Sequence, residues 1–334
     1  MAKVRLQDVA EHAGVSMKTV SNVVRNAPRV SEPMRLRVQK AIDELDYRPN
    51  MMGRQLATGR TGLIALAFAD VAIPYFAELA HTVSRAALAH GFRVILEETN
   101  GTLEGERALV SSTELGIVDG MIFQPSVMTT TELAMQRAHL PIVLLGEAGA
   151  PLTMDRVMID NVAASREVTS RVIESGRTRI GFVGHEISGL SETSRQRIAG
   201  YQQALEHAGL PVDSGRLVAT EQISANGATA AVGAALDGGL DVDALVCRDD
   251  LAAIGTMRAL QERGVRIPQE VAVTGWDNIG LSSAMSPSLT TIAPDRDALA
   301  ERALAMLFDR INGFDGAGRH ESVPYSLIVR ESAP

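Results

Sequence analysis

The sequence predicts a small all-α helix-turn-helix head, a short linker, and a bilobed α/β body made of two parallel-sheet lobes. Three observations predict this. Two very short helical patterns joined at a glycine open the chain in "LQDVAEHAGVSMKTVSNVV". From residue 62 onward, β-branched runs alternate with helical patterns, and the series restarts near residue 162. The charge is divided: residues 1–60 hold eleven Lys or Arg against six Asp or Glu, about +5, which leaves about −13 on the remainder within a net charge of −8. With 334 residues, 46% of them apolar and 4% aromatic, the chain is long enough for two or three packed units.

In the head, Val9, Ala10 and Ala13 mark one face of a helix of about two turns, and Gly14 supplies the turn. Ser16 is a good cap for a second helix. There Val20, Val23 and Val24 fall on the buried side, and Met17, Lys18, Ser21, Asn22 and Arg25 line the other. A third helix follows, capped by Ser31, with Pro33 in its first turn and Met34, Val38, Ala41, Ile42 and Leu45 at helical spacing. This pattern offers the second helix to a DNA major groove. A small three-helix bundle with an ordinary polar surface fits the same pattern.

In the body, strand patterns fall at "LIALAFA", "FRVILE" (92–97), "GMIFQ" (120–124) and "PIVLLG" (141–146), with helices near 75–90, 104–115 and 130–138. The second series has strands at "RIGFVG" (179–184), "RLVAT" (216–220), "ALVC" (244–247) and "VAVTGW" (271–276), with helices near 162–175, 193–208, 224–236 and 250–263. The helix endings "ALAHGF" and "ALEHAGL" echo each other, which suggests a duplicated unit. After residue 290, "TTIAPDRDALAERALAMLFDRING" reads as a strand and an amphipathic helix, and "ESVPYSLIVRES" alternates as one strand. If these late pieces return to the first lobe, the chain crosses between lobes more than once and leaves a hinged cleft.

Several classes are excluded or disfavoured. The longest apolar run, "GLIALAFA" at 62–69, stops at Asp70, far below the roughly 20 residues that span a bilayer. The start "MAKVRLQDVAEH" lacks the apolar core of a signal peptide, and the single Cys247 cannot form an internal disulfide, so a cytoplasmic chain is expected. No nucleophile elbow, P-loop or dinucleotide fingerprint occurs, and "HEISG" at 185–189 lacks the second histidine of a zinc-protease motif. No catalysis, cofactor or metal is expected. An enzyme or a pure solute-binding protein is the alternative, because one bilobed fold serves both.

Residues 5–60 resemble the DNA-binding head of the lactose-repressor (LacI/GalR) family, through "DVAEHAGVS", "TVSNVV", "VS", "AIDELDYRPN" and "RQLATGRTG". The likeness continues along the chain in "YFAEL", "IDN", "RIAGY", "RIPQEVAVTGWDN" and "LTTI". The resemblance implies a transcriptional regulator that acts as a repressor, with a periplasmic-binding-protein-like body. It implies a DNA-binding domain at 1–48, a hinge helix or linker at 49–61, an N-terminal effector lobe at 62–161 and 292–322, and a C-terminal effector lobe at 162–291 and 323–334. Met17, Lys18 and Asn22 take the family's base-reading positions, while Ser16, Thr19 and Ser21 are placed for phosphates and Arg29 for either. Their chemistry suits this: Lys18 can donate to guanine O6 or N7, Asn22 can pair with a base edge, and Met17 can touch a thymine methyl. Leu56 matches the leucine that wedges into the minor groove, and Gly53 departs from the alanine common in that hinge.

Ligands of open parallel sheets bind beyond the carboxyl ends of the strands. The loops there present Asp70, Tyr75 and Phe76, Gln124 and Ser126, Glu147, Thr193 and Arg197, Gln222, Asp249 and Asp250, and Trp276 with Asp277. Rings, an arginine and carboxylates suit a sugar. For either Asp249 or Asp250, capping a helix outweighs ligand contact as the expected role. By resemblance, Arg197 and Asp277 match effector-binding positions. Ser191 replaces the arginine of the purine-binding branch, and Asp249 stands where Asn or Gly is common, which adds a charge to the cleft. Since one recognition helix reads only a few base pairs, a homodimer on a pseudo-palindromic operator is expected. The chain ends "VRESAP" directly after its last strand pattern, without the heptad tail of the family's tetramers.

Overall fold

A computed structural model describes residues 4–24, 30–47, 60–112, 116–135, 140–147, 149–187 and 189–334, and the chain divides into two compact units, Met1–Thr61 and Gly62–Pro334. The first unit holds α1 (Leu6–Ala13), α2 (Met17–Val24) and α3 (Glu32–Glu44). Gly14 sits at φ 61°, a left-handed turn that glycine enters without steric cost. At the start of α2 the Thr19 N–H donates to Ser16 Oγ at 3.1 Å, satisfying one of the open first-turn donors. Val9, Ala10, Ala13, Val20, Val23, Val38, Ala41 and Tyr47 form the core. Val24 is 36% exposed and corrects the expected buried face. A helix turns about 100° per residue, so two turns let Val20 and Val23 fill this small core while Val24 is carried to its rim.

The second unit begins with β1 (Leu63–Phe68), α4 (Pro74–Ala89), β2 (Arg93–Glu98), α5 (Leu103–Ser112), β3 (Gly120–Phe123), α6 (Thr130–Met135), β4 (Ile142–Leu145) and β5 (Asp155–Met158). It continues with α7 (Asn161–Glu174), β6 (Ile180–Glu186), α8 (Glu192–His207), β7 (Leu217–Thr220), α9 (Ala225–Asp237), β8 (Ala244–Cys247), α10 (Asp250–Glu262), β9 (Ala272–Trp276) and α11 (Gly280–Ala284). It closes with β10 (Thr290–Pro294), α12 (Arg296–Ile311), β11 (His320–Ser322) and β12 (Tyr325–Ile328). The strands form two sheets, in the orders β11-β5-β4-β3-β1-β2 and β12-β10-β9-β8-β6-β7. The two orders correspond strand for strand, which gives the echo between the halves a structural basis. β12 runs antiparallel to β10, and the other paired strands are parallel. Helices on both faces bury the central strands, so β1, β3, β4, β8 and β9 read as continuous apolar runs.

Three expectations are corrected at the crossings. The strand β10, placed from residue 292 in the first lobe, lies wholly in the second sheet, where Ile292 pairs with Trp276 of β9. α12 and the short β11 return to the first lobe: α12 packs its Leu299, Ala300, Ala303, Leu304 and Leu307 toward α4 and strands β3 to β5, and β11 pairs with β5. "ESVPYSLIV" is not one strand but two, split at Pro324, whose ring removes a ladder donor. Val323 N–H still donates to Met158 of the first sheet at 2.8 Å, while the Pro324 carbonyl accepts from Asp295 at 3.0 Å. The strand β5 was not anticipated because Asp155 and Arg156 break its apolar pattern. Asp155 is nonetheless fully buried, held by Arg310 at 2.9 Å and Arg319 at 2.8 Å, whose guanidinium groups lie 4.7 and 4.6 Å from the Phe314 ring centre.

Candidate functional site

A cavity of about 790 Å³ opens at the carboxyl ends of both sheets, where the strand order reverses in each lobe. The first lobe contributes Tyr75 and Phe76 from α4, the loop after β3 and Glu147 after β4; the second contributes Thr193 and Arg197 from α8, Arg248 and Asp249 after β8, and Trp276 with Asp277 after β9. Of the residues expected from the sequence, Tyr75, Phe76, Glu147, Thr193, Arg197, Asp249 and Asp277 line this one cavity, as do Gln124, Ser126, Asp250 and Trp276. Asp70 and Gln222 do not. Asp70 is exposed and its carboxylate accepts from the Ala72 N–H at 2.7 Å, the local turn typical of Asp in a loop.

Arg197 is the centre of the site. It is 7% exposed, with its guanidinium carbon 3.9 Å from the centre of the Trp276 ring. Its Nε donates to Asn161 Oδ1 at 2.9 Å and its Nη1 to the Arg248 carbonyl. Asn161 Nδ2 in turn donates to Glu147, whose other oxygen accepts from Thr193 Oγ1 at 2.7 Å. A continuous polar chain therefore links Glu147 of the first lobe to Arg197 of the second. Burial pushes the Arg197 guanidinium down, and the charges of Asp277 and Glu147 oppose that. Burial pushes the Tyr75 hydroxyl up, and Asp277 and Glu147 add to the shift.

Asp277 follows β9 at φ 103°, and among the described residues no group donates a hydrogen bond to its carboxylate. Burial raises its pKa well above the usual carboxylate range, Arg197 pulls it back, and Asp250 and Asp249 push it further up. Asp249 caps α10 by accepting from the Ala252 N–H at 2.8 Å, and it also lines the cavity. Asp250 is occupied internally: Ile279 N–H, Ser282 Oγ and Thr291 Oγ1 all donate to it, and burial pushes its pKa up to about 6.

Three contributors were not assigned from the sequence. Arg248 donates to Ser194 Oγ at 2.9 Å and Asp249 at 2.7 Å and lies 3.6 Å from Glu186. The same end-of-strand rule that selected Asp249 reaches Arg248 one residue earlier. Asn161 lies within the quoted "IDN" and had no role attached. Glu106 carried no signal, because a glutamate on an amphipathic helix reads as a solvated one. It is fully buried and accepts from the N–H groups of Ser126 at 2.5 Å and Met128 at 2.7 Å, fixing the cavity loop.

In the first unit, Ser16, Met17 and Lys18 are exposed at the start of α2, and Thr19, Ser21 and Asn22 are half-buried along it. Arg25, Arg29, Gly53, Leu56 and most of the 49–61 hinge lie outside the described residues. Among the described residues no cluster of three His, Cys, Asp or Glu side chains is arranged to hold a metal, and no helix is long and apolar enough to cross a membrane.

A helix-turn-helix unit joined in one chain to a bilobed body with a small-molecule cleft defines the class of DNA-binding transcriptional regulators. Residues 5–50 match the model for bacterial regulatory proteins of the lacI family, and residues 169–333 match the periplasmic binding protein-like domain. The transcriptional repressor PurR of Klebsiella pneumoniae is 33% identical over 332 residues, covering 98% of this chain and 96% of the relative. The chain belongs to the LacI family. A lac repressor dimer solved with operator and the anti-inducer ONPF superposes with a TM-score of 0.86 at 26% identity, covering 99% of each chain. A complex of the regulator CelR with cellobiose gives 0.74 at 28% identity, covering 99% of this chain and 100% of the other.

Proposed function

We propose that the protein is a cytoplasmic, homodimeric repressor of a pseudo-palindromic operator, and that a neutral sugar bound in the cleft sets its operator affinity. The observation that carries the ligand reading is the pairing of an unpartnered carboxylate, Asp277, with a guanidinium stacked on an aromatic ring, Arg197 on Trp276. Carboxylate and guanidinium accept from and donate to neighbouring hydroxyls, and the rings of Trp276, Tyr75 and Phe76 suit the apolar face of a sugar. The volume suits a ligand of one or two rings. The lining holds the carboxylates of Glu147, Glu186, Glu192, Asp249, Asp250 and Asp277 against the guanidinium groups of Arg195, Arg197 and Arg248, a surplus that disfavours an anionic ligand. The lac repressor and CelR complexes support the same two partners, operator DNA and a sugar-like molecule.

On this reading Met17, Lys18 and Asn22 read bases, Ser16, Thr19 and Ser21 meet phosphates, Arg29 meets a phosphate or a base, and Leu56 wedges the minor groove. The lobes serve as effector lobes at 62–161 with 295–322 and at 162–294 with 323–334, and the chain performs no catalysis. The test is a thermal-shift panel of neutral sugars, followed by fluorescence anisotropy on DNA flanking the protein's own gene. Salt-dependent binding to one flanking segment, altered by a sugar that also raises Tm, is expected. Binding to no flanking segment, with a well-folded protein, would remove the operator; a panel in which only sugar phosphates raise Tm would remove the neutral ligand.

A further inference from the structure

The turn that presents Asp277 is anchored from the opposite lobe. Asp277 and Asn278 are consecutive non-glycine residues at φ 103° and 49°, a left-handed pair that costs conformational energy and persists only where its surroundings hold it. Arg296, at the start of α12, is one holder: its Nη1 donates to the Asp277 carbonyl at 2.6 Å, and its Nη2 lies 3.1 Å from Glu78 Oε2. The other oxygen of Glu78 accepts from the Gly280 N–H at 2.7 Å. Glu78 lies one turn beyond Tyr75 on α4. One carboxylate of the first lobe thus closes a ring through Arg296, the Asp277 carbonyl and Gly280, joining the helix that supplies Tyr75 to the turn that supplies Asp277.

The ring is partly buried: the Glu78 and Arg296 side chains are 33% and 23% exposed. Arg330 Nη2 holds the Asn278 side chain at 2.7 Å, and Asp277 N–H donates to Ile292 at 2.8 Å, but both of these ties lie within the second lobe. Among the described contacts of the turn, only those of Glu78 and Arg296 cross to elements packed in the first lobe.

We propose that Glu78 and Arg296 are positioning residues that latch the Asp277–Asn278 turn to α4, so that the ligand site is complete only when the two lobes are tied together. The proposal rests on the reading of Asp277 as a ligand contact. Its test, however, needs no ligand. Trp276 is the chain's single tryptophan, it is 1% exposed, and it immediately precedes the turn, so its emission reports the site alone.

In the ligand-free full chain, Glu78→Ala is compared with Glu78→Gln, which keeps an oxygen for the Gly280 N–H. Amide exchange is followed over 277–284 and acrylamide quenching is followed at Trp276. Glu78→Ala is expected to speed exchange at Gly280 roughly five- to tenfold, the effect of losing one ordinary hydrogen bond at a partly exposed site, and to raise quenching of Trp276. Glu78→Gln is expected to restore the Gly280 protection. Wild-type exchange or wild-type quenching in Glu78→Ala would overturn the latch, and so would Gly280 exchange as fast in the glutamine variant as in the alanine one. A failed sugar panel with these results intact would instead overturn the ligand reading and leave the latch standing.

Discussion

Asp277→Asn is expected to stabilise the ligand-free protein while abolishing its ligand response. Asparagine has the shape of aspartate and tolerates φ near 100° better than most residues, so the backbone at φ 103° is left undisturbed. What changes is charge. Burial raises the Asp277 carboxyl well above its ordinary value despite Arg197, which means that the folded chain holds this proton more tightly than the unfolded chain does. An unfolded aspartate releases its proton near pH 3.9, so from that point upward the folded chain retains a proton that the unfolded chain has lost. Stability therefore falls as pH rises towards the folded value, and the full penalty applies above it. Asparagine never incurs that penalty. Water reaching Asp277 through the cavity mouth reduces the effect, and about 1–2 kcal/mol at pH 8 is the expected gain, roughly 2–8 °C for a unit of this size. Thermal scans read by Trp276 emission should show a gain at pH 8 that shrinks at pH 5. A loss at pH 8, or an equal shift at both pH values, would show that the Asp277 charge is not what destabilises the ligand-free protein.

Other perturbations test separate parts of the structure. Burial pushes the Asp155 carboxyl up, but hydrogen bonds from Arg310 and Arg319 outweigh it and hold the group well below the carboxylate range. That contribution is present above the unfolded value and fades as pH falls through the folded one. Asp155→Ala should cost about 3–5 kcal/mol in urea unfolding at neutral pH, because two guanidinium groups lose their buried partner, and a cost below 1 kcal/mol would show that Phe314 and the carbonyl acceptors suffice. Glu106→Gln should cost about 2 kcal/mol and speed amide exchange at 126–128, since an amide oxygen cannot replace both carboxylate oxygens; unchanged exchange would count against its hold on that loop. Burial pushes the Cys247 thiol up, so it should ignore a disulfide reagent in the native protein and react on unfolding. Rapid native labelling would contradict the packing of β8.

The legible parts of the fold were those in which one physical demand governs a whole segment. Strands buried on both faces must be apolar throughout, so β1, β3, β4, β8 and β9 stand out, whereas β5 hides because its buried aspartate is neutralised by arginines more than 150 residues away. The division of residues 320–328 between two sheets depends on Pro324 meeting the crossover, which alternation alone does not express. In the site, end-of-strand positions pointed to Asp249 and Asp277 and the family resemblance pointed to Arg197, which sits within α8, while Asp70, at an equivalent strand end, turns back on its own loop. Glu106 and Glu78 were invisible for a shared reason: each acts through backbone N–H groups brought to it by tertiary structure, and a donor of that kind leaves no mark in the sequence.

On the proposed reading, Arg197 serves ligand sensing and not DNA recognition. This is tested most directly by titrating labelled operator with wild-type protein and Arg197→Ala, each with and without the sugar that raises wild-type Tm. By linkage, a ligand can shift operator affinity only through its different affinity for the two states, commonly a factor of about 5–150. Such a shift is expected in the wild type, and in Arg197→Ala the same ligand-free operator affinity with no shift. A folded Arg197→Ala protein that has lost operator binding without ligand, or that still answers to the sugar as the wild type does, would contradict it.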